Sequence, residues 1–149
     1  MSLTTDVQKD LMGALKVGDE VTAAILQVVL ASLKNEKIAK KDGTDLTKEE
    51  EVDVVFSEAK KVKDSIEQYA KAGREDLEKR EREQLQVIER YLPEQAGEEE
   101  IRKAVREVID ETGADNMKQM GMVMGPVMKK LQGKADGKIV NEIVREELS

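Results

Sequence analysis

The stretch EVTAAILQVVLASLKNEKIA, residues 20–39, decides the fold class of this chain. Its apolar side chains recur at steps of three and four, as on a helix, and they show no strand-like alternation of period two. They cover nearly the whole circumference, which is typical of a buried central helix. We therefore predict a buried central helix over residues 20–39 that is apolar nearly all round, at Val21, Ala24, Ile25, Val28, Val29 and Leu33.

The residues before this stretch predict a first helix over about 2–17, ended by Gly18 in a left-handed conformation. Asp19 is then placed to cap the helix over 20–39 through its carboxylate. The apolar positions of the first helix lie on one face, at Leu3, Val7, Leu11 and Leu15.

Two more helices are predicted downstream, before residue 93. Thr47 and Glu50 have the spacing of a capping box, in which each side chain satisfies a free amide of the first turn. This third helix ends at Gly73, and Asp76 is a candidate cap for a fourth. The predicted inward positions are Val52, Val55, Ala59, Val62, Ile66 and Tyr69, followed by Leu77, Leu85, Ile88 and Leu92.

Pro93 marks the clearest boundary, because proline disfavours helix in the preceding residue and has no amide for helix continuation. Three shorter helical segments follow, over 98–112, from 116 onward and from 136 onward. The sequence thus predicts an all-α protein of two domains. Residues 1–92 form an antiparallel four-helix unit, and residues 93–149 form a small three-helix unit.

The composition limits the possible functions. Charged residues make up 38% of the chain and the net charge is −7, so a general affinity for polyanions such as DNA is not expected. The apolar run VTAAILQVVLASL is too short to span a bilayer, and the first residues lack a basic signal-peptide region. The absence of cysteine suits a reducing compartment. We expect a cytoplasmic protein with no membrane partner.

Catalytic motifs are missing from the sequence. There is no histidine and no cysteine, which removes the commonest general base and the usual zinc ligands. A phosphate-binding P-loop fails at Gly133-Lys134, because Ala135 follows where a hydroxyl is needed and residue 128 is not glycine. We therefore predict no catalytic residue, no cofactor and no metal, and an independent enzymatic role is not favoured.

The segment NMKQMGMVMGPVMKKLQGKADGK, residues 116–138, contains five of the seven methionines. The predicted core-facing stripe consists of Met117, Met120, Met124, Met128 and Leu131, with Met122 falling outside it.

Gly121 and Gly125 lie one helical turn apart in the same segment. Glycine lowers helix stability, so two in one helix suggest a reason for their presence. Two interpretations stay open: close packing against another helix, or close approach of a ligand backbone.

The same segment is locally basic, with five lysines against the single acid Asp136, which gives +4 within a chain of −7. The turn before the last helix would present Lys134 and Lys138 beside a helix N-terminus, where anions are favoured. The lysines are Lys118, Lys129, Lys130, Lys134 and Lys138.

Four segments resemble signatures of the GatB/YqeY family in their order and spacing, and the resemblance covers essentially the whole chain. They are SIEQYAKAGREDL (65–77), ERYLPEQ (89–95), MKQMGMVMG (117–125) and GKADGKIVNEIV (133–144). The length suggests a free-standing YqeY-like protein. The resemblance implies an all-helical fold whose C-terminal part is similar to the tail of the B subunit of glutamine-dependent Asp-tRNA/Glu-tRNA amidotransferase. That tail contacts the tRNA elbow, and the catalytic domains are absent here.

The resemblance places the tRNA-facing surface at Gly121 and Gly125, at the turn over 134–138, and at Asn141. With the neighbouring lysines, the candidate nucleic-acid-binding residues are Lys118, Gly121, Gly125, Lys129, Lys130, Lys134, Lys138 and Asn141. The expected partners are tRNA or a tRNA-modifying amidotransferase or synthetase. Arginines expected on the second and third helices are replaced, with Gln27 on one and Lys61, Val62 and Lys63 on the other.

A protein–protein adaptor is the alternative function. A chain of net charge −7 is better suited to bind a protein than the negatively charged RNA, and flexible methionine side chains are suited to adaptable binding surfaces. The sequence leaves the oligomeric state and the role of the N-terminal unit open.

Overall fold

The computed structural model describes residues 2–149, and this part of the chain contains α-helices and one 3-10 turn but no β-strand. The predicted all-α class is therefore confirmed. The helices are α1 (Leu3–Val17), α2 (Glu20–Ala39), α3 (Lys48–Lys71), α4 (Glu75–Glu89), α5 (Glu98–Thr112), α6 (Met120–Lys130) and α7 (Gly137–Leu148), and the 3-10 turn is Met117–Gln119.

The chain divides into two compact units, one ending at Leu92 and the other comprising Pro93–Ser149. The first contains α1–α4 and the second contains α5–α7. That each unit is an independent domain, with bounds 1–92 and 93–149, stays a prediction.

Several helix ends form as the sequence predicts. Gly18 ends α1 with φ of 72°, and the Asp19 carboxylate accepts the Thr22 amide at 3.1 Å. The capping box is also present, because the Thr47 hydroxyl accepts the Glu50 amide at 3.1 Å while the Glu50 carboxylate accepts the Thr47 amide at 3.0 Å. The Asp76 cap is wrong. The residue before α4 is Arg74, which makes no side-chain cap bond, and Asp76 already lies inside the first turn.

The core of the first unit is aliphatic, but α2 is not buried all round as predicted. Ile25, Val29 and Leu33 are buried, whereas Val28 is 49% exposed. On α1, Val7 is buried and Leu15 is 54% exposed. Residues eight apart on a helix are rotated by about 80° relative to each other, so Leu15 points away from the buried face. The buried cluster contains Val7, Ile25, Leu26, Val29, Leu33, Val55, Ala59, Val62, Ile66, Val87 and Ile88.

The core of the second unit joins all three of its helices. Ala96, Ile109, Met120, Met124 and Met128 are partly buried at its edge. The fully or nearly buried members are Ile101, Ala104, Val105, Val108, Ala114, Val123, Val127, Leu131, Ala135, Val140, Ile143, Val144 and Leu148.

Candidate functional site

The segment that carries most candidate residues begins with a capped turn. The Asn116 side chain accepts the Lys118 amide at 2.9 Å, which starts the 3-10 turn that leads into α6. On the inner side of α6, Val123 and Val127 are completely buried. These two valines share one side of α6, because residues three to four apart lie on the same helix face. The opposite side faces solvent, since Gly121, Gly125 and Lys129 are exposed.

The predicted methionine stripe is partly wrong. Met117 is 42% exposed, and Met120, Met124 and Met128 pack only at the edge of the core. Val123 and Val127 fill the central positions of α6 instead, because the helix phase turns them directly inward, while Leu131 of the predicted stripe is buried as expected. Met122 lies outside the stripe, as predicted, and is 49% exposed.

We define the α6 outer face as the side of this segment that points away from the core. Gly121 and Gly125 lie on it and are exposed, and a β-carbon built at either would meet no atom within 4 Å. Close packing against another helix is therefore excluded for the described chain, which leaves the close approach of a ligand as the open interpretation. The face consists of Lys118, Gly121, Met122, Gly125, Pro126 and Lys129.

Pro126 is a feature of this face that the sequence reasoning did not use. It lies inside α6 and is exposed. Proline has no amide hydrogen, so it cannot donate the regular helical hydrogen bond to the Met122 carbonyl. Gly125 directly before it relieves the steric conflict between the proline ring and a preceding β-carbon. The Gly-Pro pair thus keeps this turn helical while exposing more backbone than a usual helix surface.

Two of the predicted lysines are turned toward carboxylates of α5. Lys130 lies 3.2 Å from Glu111 and 3.5 Å from Glu107. The hydrogen bond to Glu111 raises the pKa of Lys130. Lys134 makes a longer contact of 3.9 Å with Glu100. These two charges are partly balanced within the unit, and they are weaker candidates for an external anion than the sequence indicates.

The other three predicted lysines have no carboxylate partner in the described part of the chain. Lys118, Lys129 and Lys138 are exposed, and none of them forms an ion pair with a residue in the described part of the chain. Lys118 and Lys129 flank the two glycines on the α6 outer face, while Lys138 lies in the first turn of α7. An incoming anion would meet these three ammonium groups without displacing a carboxylate.

The turn between α6 and α7 is held by backbone contacts. Gly133 has φ of 73°, a conformation that favours glycine, and its carbonyl accepts the Gln95 side-chain amide at 2.8 Å. The Lys134 carbonyl accepts the Ala96 amide at 2.9 Å, and the Lys134 amide donates to Leu131 at 2.8 Å. The predicted lysine turn is therefore a fixed part of the unit.

Asp136 caps α7, since its carboxylate accepts the Lys138 amide at 2.9 Å. This carboxylate takes the position that an external anion would otherwise occupy at the helix start. The Lys138 side chain, and not the α7 amides, is therefore the group available for contact. Asn141 is half-buried and lines a shallow hollow together with Gly137, Lys138, Glu142 and Arg145.

The start of α7 adjoins the end of α6. A β-carbon at Gly137 would lie 3.8 Å from the methyl group of Met128. The structure thus brings the glycines of α6, two unpaired lysines beside them and the Lys138–Asn141 turn onto neighbouring parts of one unit. It does not bring Lys130 to this surface, because that side chain points toward α5.

A family model described as "Yqey-like protein" matches residues 4–148 of the chain. The chain belongs to this Yqey-like family. A relative of the Yqey-like chain is "Uncharacterized protein C22F3.15" of Schizosaccharomyces pombe. The two are 33% identical over 96 residues, which cover 64% of this chain and 76% of the relative.

Elsewhere in this Yqey-like protein, two buried acids were missed by the sequence reasoning. Glu51 is 4% exposed and accepts both the Thr4 amide and the Thr4 hydroxyl, at 2.7 and 2.6 Å. Glu58 is 7% exposed and accepts the Ser32 hydroxyl at 2.7 Å. Both carboxylates are satisfied by hydrogen bonds between helices, which gives them a structural role. Their sequence context, within charged helix faces, carries no signal of burial.

Among residues 2–149, no cluster of three acidic side chains is arranged to hold a metal ion. No helix within the same range is both long and apolar enough to cross a bilayer.

Proposed function

We propose that this Yqey-like protein is a non-catalytic helper module that contacts tRNA through the α6 outer face and the adjoining start of α7. One observation carries the proposal: Gly121 and Gly125 are uncovered side by side, between the unpaired lysines Lys118 and Lys129. A helix surface without β-carbons admits a sugar–phosphate chain close to its backbone, and lysine ammonium groups then neutralise phosphates.

The resemblance to the amidotransferase B-subunit tail also supports a tRNA contact, since that tail contacts the tRNA elbow. On this proposal Lys118, Lys129 and Lys138 contact phosphates, and Asn141 donates or accepts a hydrogen bond at the edge. Lys130 and Lys134 contribute less, because carboxylates of α5 lie 3.2–3.9 Å from them. The proposed location is the cytoplasm, and the proposed further partner is a tRNA-modifying amidotransferase or synthetase.

The number of unpaired lysines sets the expected strength of binding. Each neutralised phosphate contributes a slope of roughly −0.7 to −0.9 to log K against log salt. Three contacts therefore predict a total slope of about −2 to −3. The interaction should be weak at physiological salt, which suits a helper that acts beside another tRNA-binding protein.

The proposal is tested by fluorescence anisotropy of labelled total tRNA, titrated with protein at low and at physiological salt. Replacing Lys118, Lys129 and Lys138 by alanine should abolish most of the binding and flatten the salt dependence. The matched control replaces Lys9, Lys63 and Lys79, three exposed lysines of the first unit, and makes the same change in net charge. Absence of binding by the unaltered protein, or equal loss in both triple variants, rejects the proposal.

A protein–protein adaptor is the second candidate, and the exposed apolar atoms of Met122 and Pro126 on the same face favour it. Met122→Ala separates the two functions. It should leave a lysine-dependent tRNA affinity within about twofold, because surface substitutions away from charged contacts change little. An adaptor that uses this face would instead lose a stoichiometric protein partner on Met122→Ala and retain it in the triple lysine variant.

A further inference from the structure

The outer side of α2 is an uncovered apolar surface in the first unit. Residues 21–33 contain no charged side chain. Val28 is 49% exposed and Ala31 is exposed on the side of α2 opposite its buried residues. A helix that is apolar on most sides is normally buried on most sides. The exposed side of α2, which carries Val28 and Ala31, is therefore a candidate surface for binding a partner.

The uncovered side has the spacing of a helix–helix seam. Its residues follow one another at alternating steps of four and three, the spacing at which paired helices meet; Ala24, Ala31 and Ile38 supply the apolar positions, and polar side chains alternate with them. The alanines allow two helix axes to approach closely, and Ile38 at the far end is 79% exposed. We define the α2 seam as Glu20, Ala24, Gln27, Ala31, Lys34 and Ile38.

The two ends of the seam are complementary in shape. At the beginning of α2 a shallow hollow of about 360 Å³ lies against Leu15, Gly18 and Ala24. At the other end, Ile38 projects into solvent. An antiparallel pairing of two α2 helices, with its two-fold axis between Gln27 and Ala31, brings each Ile38 close to the hollow of the other copy. Both hollows are then filled by equivalent side chains, as two-fold symmetry requires.

The two ends are also complementary in charge. Glu20 and Lys34 are exposed, and neither forms an ion pair with a described residue. In the antiparallel arrangement each Glu20 approaches the second copy's Lys34. A parallel arrangement would instead place glutamate against glutamate and lysine against lysine, which is unfavourable.

We propose that a second copy of this chain covers the α2 seam, forming a two-fold dimer through antiparallel α2 helices. The dimer is independent of the proposed tRNA contact, which belongs to α6 and α7. It forms without RNA, and substitutions on the α6 outer face leave it intact.

Sedimentation equilibrium of the purified full-length protein, over a wide concentration range and without RNA, tests the association. Ala31→Glu places two like charges near the two-fold axis and should raise the dimer dissociation constant by at least about tenfold. Gln86→Glu adds the same charge at an exposed position of α4 and should leave the constant unchanged. Circular dichroism confirms that both variants keep their helices. A protein that remains monomeric throughout, or an equal effect of both substitutions, overturns the proposal.

Single cysteines test the geometry, because the chain has none of its own. Gln27→Cys and Ala31→Cys lie opposite each other across the proposed axis and should form a disulfide-linked mixed dimer under mild oxidation. Glu20→Cys and Ile38→Cys should each remain unlinked alone and form a mixed dimer when combined. Self-linking of Glu20→Cys together with absence of the mixed dimer would show a parallel arrangement and overturn the antiparallel one.

Discussion

Arg102 on α5 donates a hydrogen bond of 2.9 Å to Glu147 on α7, and so links the first and last helices of the C-terminal unit. Arg106 donates to the same carboxylate at 3.2 Å. The Glu147 side chain is only 17% exposed, which limits screening of these contacts by solvent. This link makes the stability of the unit depend on pH.

The bonds from Arg102 and then Arg106 lower the pKa of Glu147 below the ordinary glutamate value of 4.5. The folded state therefore holds the ionised carboxylate more strongly than the unfolded state does. The resulting stability is fully present above pH 4.5 and is lost as the pH falls through the folded pKa. We expect Glu147→Gln to lower the thermal midpoint at pH 7 and to reduce the further loss between pH 5 and pH 3. The control Glu142→Gln, on the exposed side of α7, should keep the acid sensitivity of the unaltered protein.

Val123→Ala should destabilise the second unit far more than Met122→Ala. Val123 is completely buried, so its truncation removes two methyl groups and leaves a cavity, at a cost of about 1.5–3 kcal/mol. Met122 is 49% exposed and should change the free energy of unfolding by no more than about 0.5 kcal/mol. Urea unfolding measures both. The opposite order would show that methionines, and not valines, form the centre of the α6 packing.

Gly121→Ala should stabilise the protein by about 0.5–1 kcal/mol, because alanine is the better helix former and its β-carbon meets nothing within 4 Å. Gly125→Ala should gain less, since Pro126 follows and opposes helical conformation in a residue with a β-carbon. If the tRNA proposal holds, both substitutions weaken tRNA binding while leaving the helix intact. A loss of stability on Gly121→Ala would contradict the open surface.

Residues 93–149 expressed alone should fold into helices. Their buried cluster contains thirteen residues, ten from the three helices and three from the connecting turns, and the Ala96–Lys134 and Gln95–Gly133 bonds lie within the same fragment. A unit of this size is marginal, so we expect a stability of only about 2–4 kcal/mol. Far-ultraviolet circular dichroism with urea titration measures it. A fragment without a cooperative transition would show that 93–149 is not an independent domain.

Helix bounds and caps were the most predictable part of this fold. The predicted ranges 20–39 and 98–112 match α2 and α5, because local periodicity and capping chemistry determine where these helices begin and end. Asp76 failed as the cap residue because the helix already begins at Glu75, so Asp76 lies two positions after the cap position at Arg74.

Burial was less predictable than helicity. Val28 and Val123 have the same side chain, yet Val28 is half-exposed and Val123 is buried, because burial depends on which neighbouring elements cover each face. The same limit applied to the lysines. Local sequence shows that Lys130 is basic, but only tertiary structure places it beside Glu107 and Glu111.

The bonds from Gln95 and Ala96 to the turn at Gly133 and Lys134 have an entropic consequence. Because this backbone is already ordered, a ligand that reaches the turn has only side chains left to immobilise. Each such side chain costs roughly 0.5–1.5 kcal/mol, whereas ordering a loose loop would add 1–2 kcal/mol for every residue of backbone. Even a modest electrostatic attraction at Lys138 can therefore produce measurable association without a preceding folding step.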